Sequence, residues 1–131
     1  MRNATALLHQ FEQGTLVAQS FSHRDHVRVA YELIVRHEFP EACARFSRGA
    51  ATLARQAGAP ERFNVTVTLA FMSIIAEALE LAPSDDVEEF LRRHPHLCRG
   101  DALEAWYTPE RLASPSARRV FLMPDRVGTA P

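Results

Sequence analysis

The chain has 131 residues, 47% of them hydrophobic and 24% charged, with a formal net charge of −1. That length suits one domain with its own core, and the composition excludes a disordered chain. Charges of both signs are interspersed, which excludes the basic stripe expected of a nucleic-acid-binding protein.

All 15 basic residues are arginine. They are scattered, so they read as a codon bias toward GC-rich genomes; arginines chosen for phosphate would cluster. Without lysine there is no Schiff-base chemistry on a lysine side chain. Cys43 and Cys98 lie far apart with no CxxC spacing, so free thiols in a reducing cytoplasm are expected. The N-terminal stretch MRNATALLHQFEQG lacks an apolar signal-peptide core, and no run approaches the roughly 18 apolar residues of a membrane span. Without a signal, the Asn64-Val65-Thr66 glycosylation acceptor carries no weight. Glycine-rich phosphate loops and GxSxG are also missing.

Glycine and proline cut the chain into helical pieces. Asn3 caps a first helix carrying Leu7, Leu8 and Phe11, and Gly14 stops it. After the connector TLVAQSF, Ser22 caps a second helix running to about Glu38, with Asp25 completing a capping-box pair. Pro40 suits the first turn of a third, which places Phe46, Ala50, Leu53 and Ala57 on one side and ends at Gly58. A fourth covers residues 63–81. Ser84, followed by Asp85 and Asp86, starts a fifth that must break at Pro95. Short helical pieces follow near residues 101–106 and 114–121, and the tail from about 122 to 131 is expected to be loose. No run alternates at period two. The expected fold is all-α, a compact single-domain bundle of about five main helices spanning residues 1–131.

The second helix begins FSHRDHVRVAYEL, with His23 and His26 three residues apart. At about 100° per residue, His23, His26 and His37 fall on the face of Val27, Ala30 and Ile34, toward the interior. Arg24, Asp25, Arg28, Glu32 and Arg36 fall on the opposite face. A metal site of His23, His26 and Glu32 is therefore rejected, because its ligands would lie on opposite sides of one helix. The fourth helix turns Asn64 and Thr68 inward beside Val67, Phe71, Ile75 and Ala78, and leaves Thr66, Ser73, Glu77 and Glu80 wet. If the starts of these two helices meet, His23, His26, Asn64 and Thr68 form a polar pocket in an apolar bundle. The competing reading makes Asn64 a plain N-cap, both histidines polar residues near helix starts, and His37 a structural residue at a helix end.

Across residues 11–125 the chain resembles an uncharacterised family of small, all-helical bacterial proteins. The motifs that carry the likeness are the paired-histidine F-x-H-x-x-H and the later YTPERL segment. In that family a histidine usually stands where this chain has Asn64. The resemblance thus implies a metal held by His23, His26 and a third histidine, a set suited to zinc or iron. Asparagine at that place departs from the pattern.

Other candidates rank lower. His94, His96 and Cys98 are spaced for a turn at Pro95, and Cys43 is a small core residue. Trp106 and Tyr107 either pack or form an aromatic lid over the pocket. Arg118 and Asp125 are expected to pin the tail as an ion pair, and an apolar patch at Phe71, Met72 and Ile75 leaves a homodimer open. Inward carboxylates are too scarce for a di-iron carboxylate site.

The functional expectation is a small cytoplasmic enzyme of lyase, isomerase or cyclase type, in specialised metabolism, acting on a small organic molecule. Its catalytic residues would be His23 or His26 as acid or base, with Asn64 and Thr68 orienting substrate. Such chemistry needs no bound cofactor; a single divalent zinc or iron on His23 and His26 is the variant. The alternative is a non-catalytic protein that uses the same pocket to bind a small molecule, or an apolar helix face to dock a partner.

Overall fold

The structure is a computed structural model that describes residues 3–126. The chain is an all-α single domain, and no strand occurs among the described residues. Its helices are α1 (Ala4–Gln13), α2 (His23–Arg36), α3 (Phe39–Gln56), α4 (Val65–Leu81), α5 (Val87–Arg93) and two short ones, α6 (Pro109–Leu112) and α7 (Pro115–Arg119). Single 3-10 turns, Ala18–Ser20, Pro60–Arg62 and Pro95–Cys98, connect them. Among the described residues, no helix is long and apolar enough to cross a membrane.

The helix ends follow from local chemistry. Asn3 accepts from the Ala6 amide, and Gly14 ends α1 at φ 73°, where a side chain would be strained. Ser22 and Asp25 form a full capping box: each side chain accepts from the other residue's backbone N–H, at 3.1 and 3.2 Å. Gly58 is left-handed after α3, at φ 75°. The fifth helix starts later than expected. Asp86, not Ser84, caps it, accepting from the Glu88 amide. The Ser84 hydroxyl instead donates to Glu89, while its carbonyl accepts the Tyr31 hydroxyl. Residues 101–106 form turns rather than a helix.

The fold is centred on α2, which packs against α1, α3, α4 and α5. Helices on nearly every side explain two corrections to the face reading. Asp25 and Arg28 are not on a wet face: they are 2% and 9% exposed, because α5 covers that side. Thr66 is likewise fully buried. Its hydroxyl donates to the Val120 carbonyl at 2.7 Å and accepts from the Leu122 amide at 3.0 Å.

Those bonds also correct the picture of a loose tail. Residues 120–126 form a fixed strap along α4 and α6. Tyr107 donates its hydroxyl to Leu122, Arg111 donates to the Met123 carbonyl, and the Arg126 amide donates to Trp106. Asp125 accepts from the backbone and hydroxyl of Thr108 at 2.9 and 2.7 Å. The expected Arg118–Asp125 pair is thus replaced by a cap on the turn before α6. Residues 127–131 of the expected tail lie outside the described residues. Met72 and Ile75 are fully buried in the core, so they offer no patch to a second copy.

Candidate functional site

A cleft of about 590 Å³ opens where the starts of α2 and α4 face the second half of α3. Its far edge is the turn at residues 99–104 together with α6. The size lies within the range of small-molecule sites, roughly 300–1,000 Å³. His23, His26, Asn64 and Thr68 all line it. The helix-face argument therefore brought together four residues that the fold does place around one space.

Their situations differ. His23 is exposed at the mouth, with its ring centroid 5.8 Å from that of His26 and its Nε2 beside Gly100. His26 is half-buried, its ring 4.3 Å from Phe21 and 6.3 Å from Phe46 between centroids. Its Nδ1 lies 2.9 Å from the Ser22 carbonyl. A carbonyl can only accept, so Nδ1 carries the hydrogen and Nε2 keeps its lone pair. Burial in this apolar setting holds the His26 pKa below the ordinary 6.5, outweighing the hydrogen bond to Ser22, which acts the other way. The ring is therefore neutral near pH 7.

Thr68 is buried in the wall, and its hydroxyl bonds to no other protein group among the described residues. Asn64 is largely committed. Its Oδ1 accepts from the Val67 amide at 2.9 Å as the N-cap of α4, and its Nδ2 donates to the Leu112 carbonyl at 2.7 Å. The side chain thus ties the start of α4 to the end of α6 and fixes the cleft wall, leaving one amide hydrogen unassigned.

This bears on the metal that the resemblance implies. A three-ligand site needs a strong third donor beside the two imidazoles. Asn64 is held in its cap, and among the described residues no group of three His, Cys, Asp or Glu side chains is placed to hold an ion. The donor set does not fit the implied site. Elemental analysis of protein purified without a histidine tag is accordingly expected to find zinc and iron far below one equivalent. Near-stoichiometric metal that disappears in the His23→Ala/His26→Ala double variant would reverse this conclusion.

Most of the remaining wall is apolar. Phe21, Phe46, Phe63 and Phe71 supply rings, and Ala50, Ala54 and Ala57 supply the open side along α3. The sequence places Phe46, Ala50, Leu53 and Ala57 on one side of α3, and all four line the cleft. The small-residue spacing on an otherwise apolar face was the available signal, because alanines leave volume that leucines would fill. Arg62, Arg99 and Glu104 stand exposed at the rim, and Arg99 donates to Asp101 at 2.9 Å. Trp106 and Tyr107 are not part of the cleft. Tyr107 is 1% exposed and packs with Ala70 and Leu103, so the lid reading gives way to packing.

His37 is the C-cap of α2, in extended conformation. His94 lies against Phe90, with ring centroids 4.6 Å apart, beside the turn that holds His96 and Cys98. Cys43 is buried and Cys98 half-buried, both free thiols. Burial raises both thiol pKa values, which lowers their reactivity.

No protein-family model, curated protein or solved structure matches this chain. The functional reading therefore rests on the cleft itself.

Proposed function

We propose that this protein is a small enzyme that takes a small organic molecule into the cleft and moves a proton on it with His26. The observation that carries this reading is the state of that ring: half-buried, neutral, fixed through Nδ1, with Nε2 available as a base. A fixed tautomer removes the orientational search an exposed imidazole would make, and a depressed pKa keeps the base form populated. The Thr68 hydroxyl, on the same cleft wall, is suited to hydrogen-bond an oxygen on which charge develops. His23, at the mouth, suits entry or proton exchange with solvent. Proton transfer of this kind serves lyase, isomerase or cyclase chemistry.

Incubation with a fractionated metabolite pool tests the reading, with mass spectrometry following which compounds change. Wild-type protein is expected to convert one small molecule, and His26→Gln to convert it at least about a hundredfold more slowly, the usual scale of acid–base catalysis. Equal conversion by the variant would sink the proposal. The pH profile carries a second sign. Because burial lowers the folded-state pKa, the base form persists through pH 6.5, and the acid limb of the rate should lie below that value.

The alternative is a binding or accessory protein that holds its ligand without turnover. What favours it is the engagement of Asn64, which leaves the cleft with few groups free for catalysis. In that case the same compound would be retained unchanged, and His26→Gln would weaken retention only modestly.

A further inference from the structure

We propose that the cleft's ligand is a neutral, ring-bearing molecule that presents one hydroxyl or enol donor to His26 Nε2; this deepens the reading above and rests on it. The shape argument starts on α3. Ala50 and Ala54 of α3 line the same space as Phe63 and Phe71, which come from other parts of the chain. The space exists because these methyl groups stop short of the aromatic wall. A space lined by four phenylalanines and by small alanines favours a ring-bearing molecule, since aromatic rings pair well in offset stacks and edge contacts.

The polarity argument concerns what the interior offers. Nδ1–H of His26 is taken by Ser22, so the ring can only accept. A ligand group meeting it must therefore donate, as a phenol, enol or alcohol does. Thr68, buried in the wall, has no hydroxyl bond to another protein group among the described residues, and that hydroxyl can accept or donate as the ligand requires. The charge argument excludes an anion. Both cleft arginines are exposed at the rim, Arg99 is paired with Asp101, and Glu104 stands beside them. A carboxylate placed among the phenylalanines would meet no buried cation, and burying an uncompensated charge is strongly unfavourable.

Three probes of similar size separate these claims: 2-naphthol, a neutral donor; 2-methoxynaphthalene, neutral without a donor; and 2-naphthoate, an anion. Binding is read from amide chemical shifts in nitrogen-15-labelled wild-type protein, with the His26 and Thr68 amides reporting the cleft. 2-Naphthol should bind roughly tenfold more tightly than the methyl ether, the scale of one hydrogen bond to a buried acceptor. Naphthoate should bind weakest. His26→Phe, which keeps the ring against Phe21, should bring the naphthol and its ether to equal affinity. Because the three-probe comparison is made on wild-type protein, it stands even if that variant folds poorly. Equal affinity of naphthol and ether in the wild type, or preference for naphthoate, with cleft amides still shifting, overturns the ligand class while leaving the cleft as the binding site. Cleft amides left unshifted by all three probes overturn both.

Discussion

Replacing Gly49 by alanine is expected to destabilise the protein by about 2 kcal/mol or more, although alanine is the better helix former by roughly 1 kcal/mol. Gly49 sits inside α3, and a Cβ there would lie 2.2 Å from the Phe11 ring, with two further ring atoms at 2.4 and 2.7 Å. Something must move, and Phe11 is closely packed. It is 2% exposed and stacked on Phe21 and Phe46, with centroids 5.6 and 5.4 Å away. The clash therefore outweighs the gain in propensity. Phe21 in turn lies against His26, so pushing on Phe11 also presses on the cleft. Urea denaturation of Gly49→Ala, Phe11→Leu and the double variant measures this. The two changes should couple, the double variant losing less stability than the sum of the singles. A Gly49→Ala protein more stable than wild type would show that the ring has room that this packing denies it.

That close approach is also a case of what the sequence could not reveal. Gly49 is an ordinary glycine in a helical pattern, and only the crossing of α1 over α3 makes it necessary. The helix ends at Asn3, Ser22 with Asp25, Gly14 and Gly58 were legible, because these residues act through bonds or backbone angles within a few residues of themselves, whereas the starts at Asn64 and Asp86 were placed early. The inward side of α2 and α4 was largely legible too, since one face of period 3.6 places His26, Asn64 and Thr68 toward the cleft, although His23, one turn earlier, ends exposed at its mouth.

The outward side was not. A polar face looks wet until something covers it, and the coverings of α2 and α4 come from α5 and from residues 120–126, far along the chain. Asp25, Arg28 and Thr66 are among the residues this misplaced; Arg28 and Thr66 bond those distant segments, and Asp25 bonds Arg28. The aromatic wall of the cleft was hidden for the same reason. Phe46 and Phe71 look like plain core residues until the alanines of α3 are seen to leave space beside them.

The largest effect of all is expected at Arg28. Its guanidinium grips Glu88 with two bonds, Nε to Oε2 at 2.8 Å and Nη2 to Oε1 at 3.3 Å, and Nη1 donates to Asp25 at 2.8 Å. The three side chains retain only 11%, 18% and 2% of their exposure for Arg28, Glu88 and Asp25. Arg28→Met would remove the cation that both carboxylates share at the α2–α5 contact, a change that costs up to about 3–5 kcal/mol when it breaks a buried pair. Removing Glu88 as well should restore part of the loss, because Arg28→Met/Glu88→Met deletes one of the stranded charges and adds apolar surface. A double variant as unstable as the single would rule out charge burial as the cause.

The pH dependence follows from the same contact. The Arg28 hydrogen bond holds the Glu88 pKa below its ordinary 4.5. The stabilisation is therefore complete above about pH 4.5 and is lost as pH falls through the depressed value, when the carboxylate takes up a proton. Urea midpoints followed from about pH 7 down to about pH 3 should show this acid limb in the wild type and a shallower one in Arg28→Met. The limb unchanged in the variant would assign it to other groups. The consequence reaches the cleft, because α5 leads directly into the Pro95–Cys98 turn and then to Arg99 and Gly100 at the rim beside His23. Arg28 touches no cleft residue directly in the bonds it makes, yet it fixes the helix from which that rim is hung. An Arg28→Met protein that remains folded should therefore bind cleft ligands more weakly than the wild type, while His26, still buried against Phe21 and Phe46, keeps its depressed pKa.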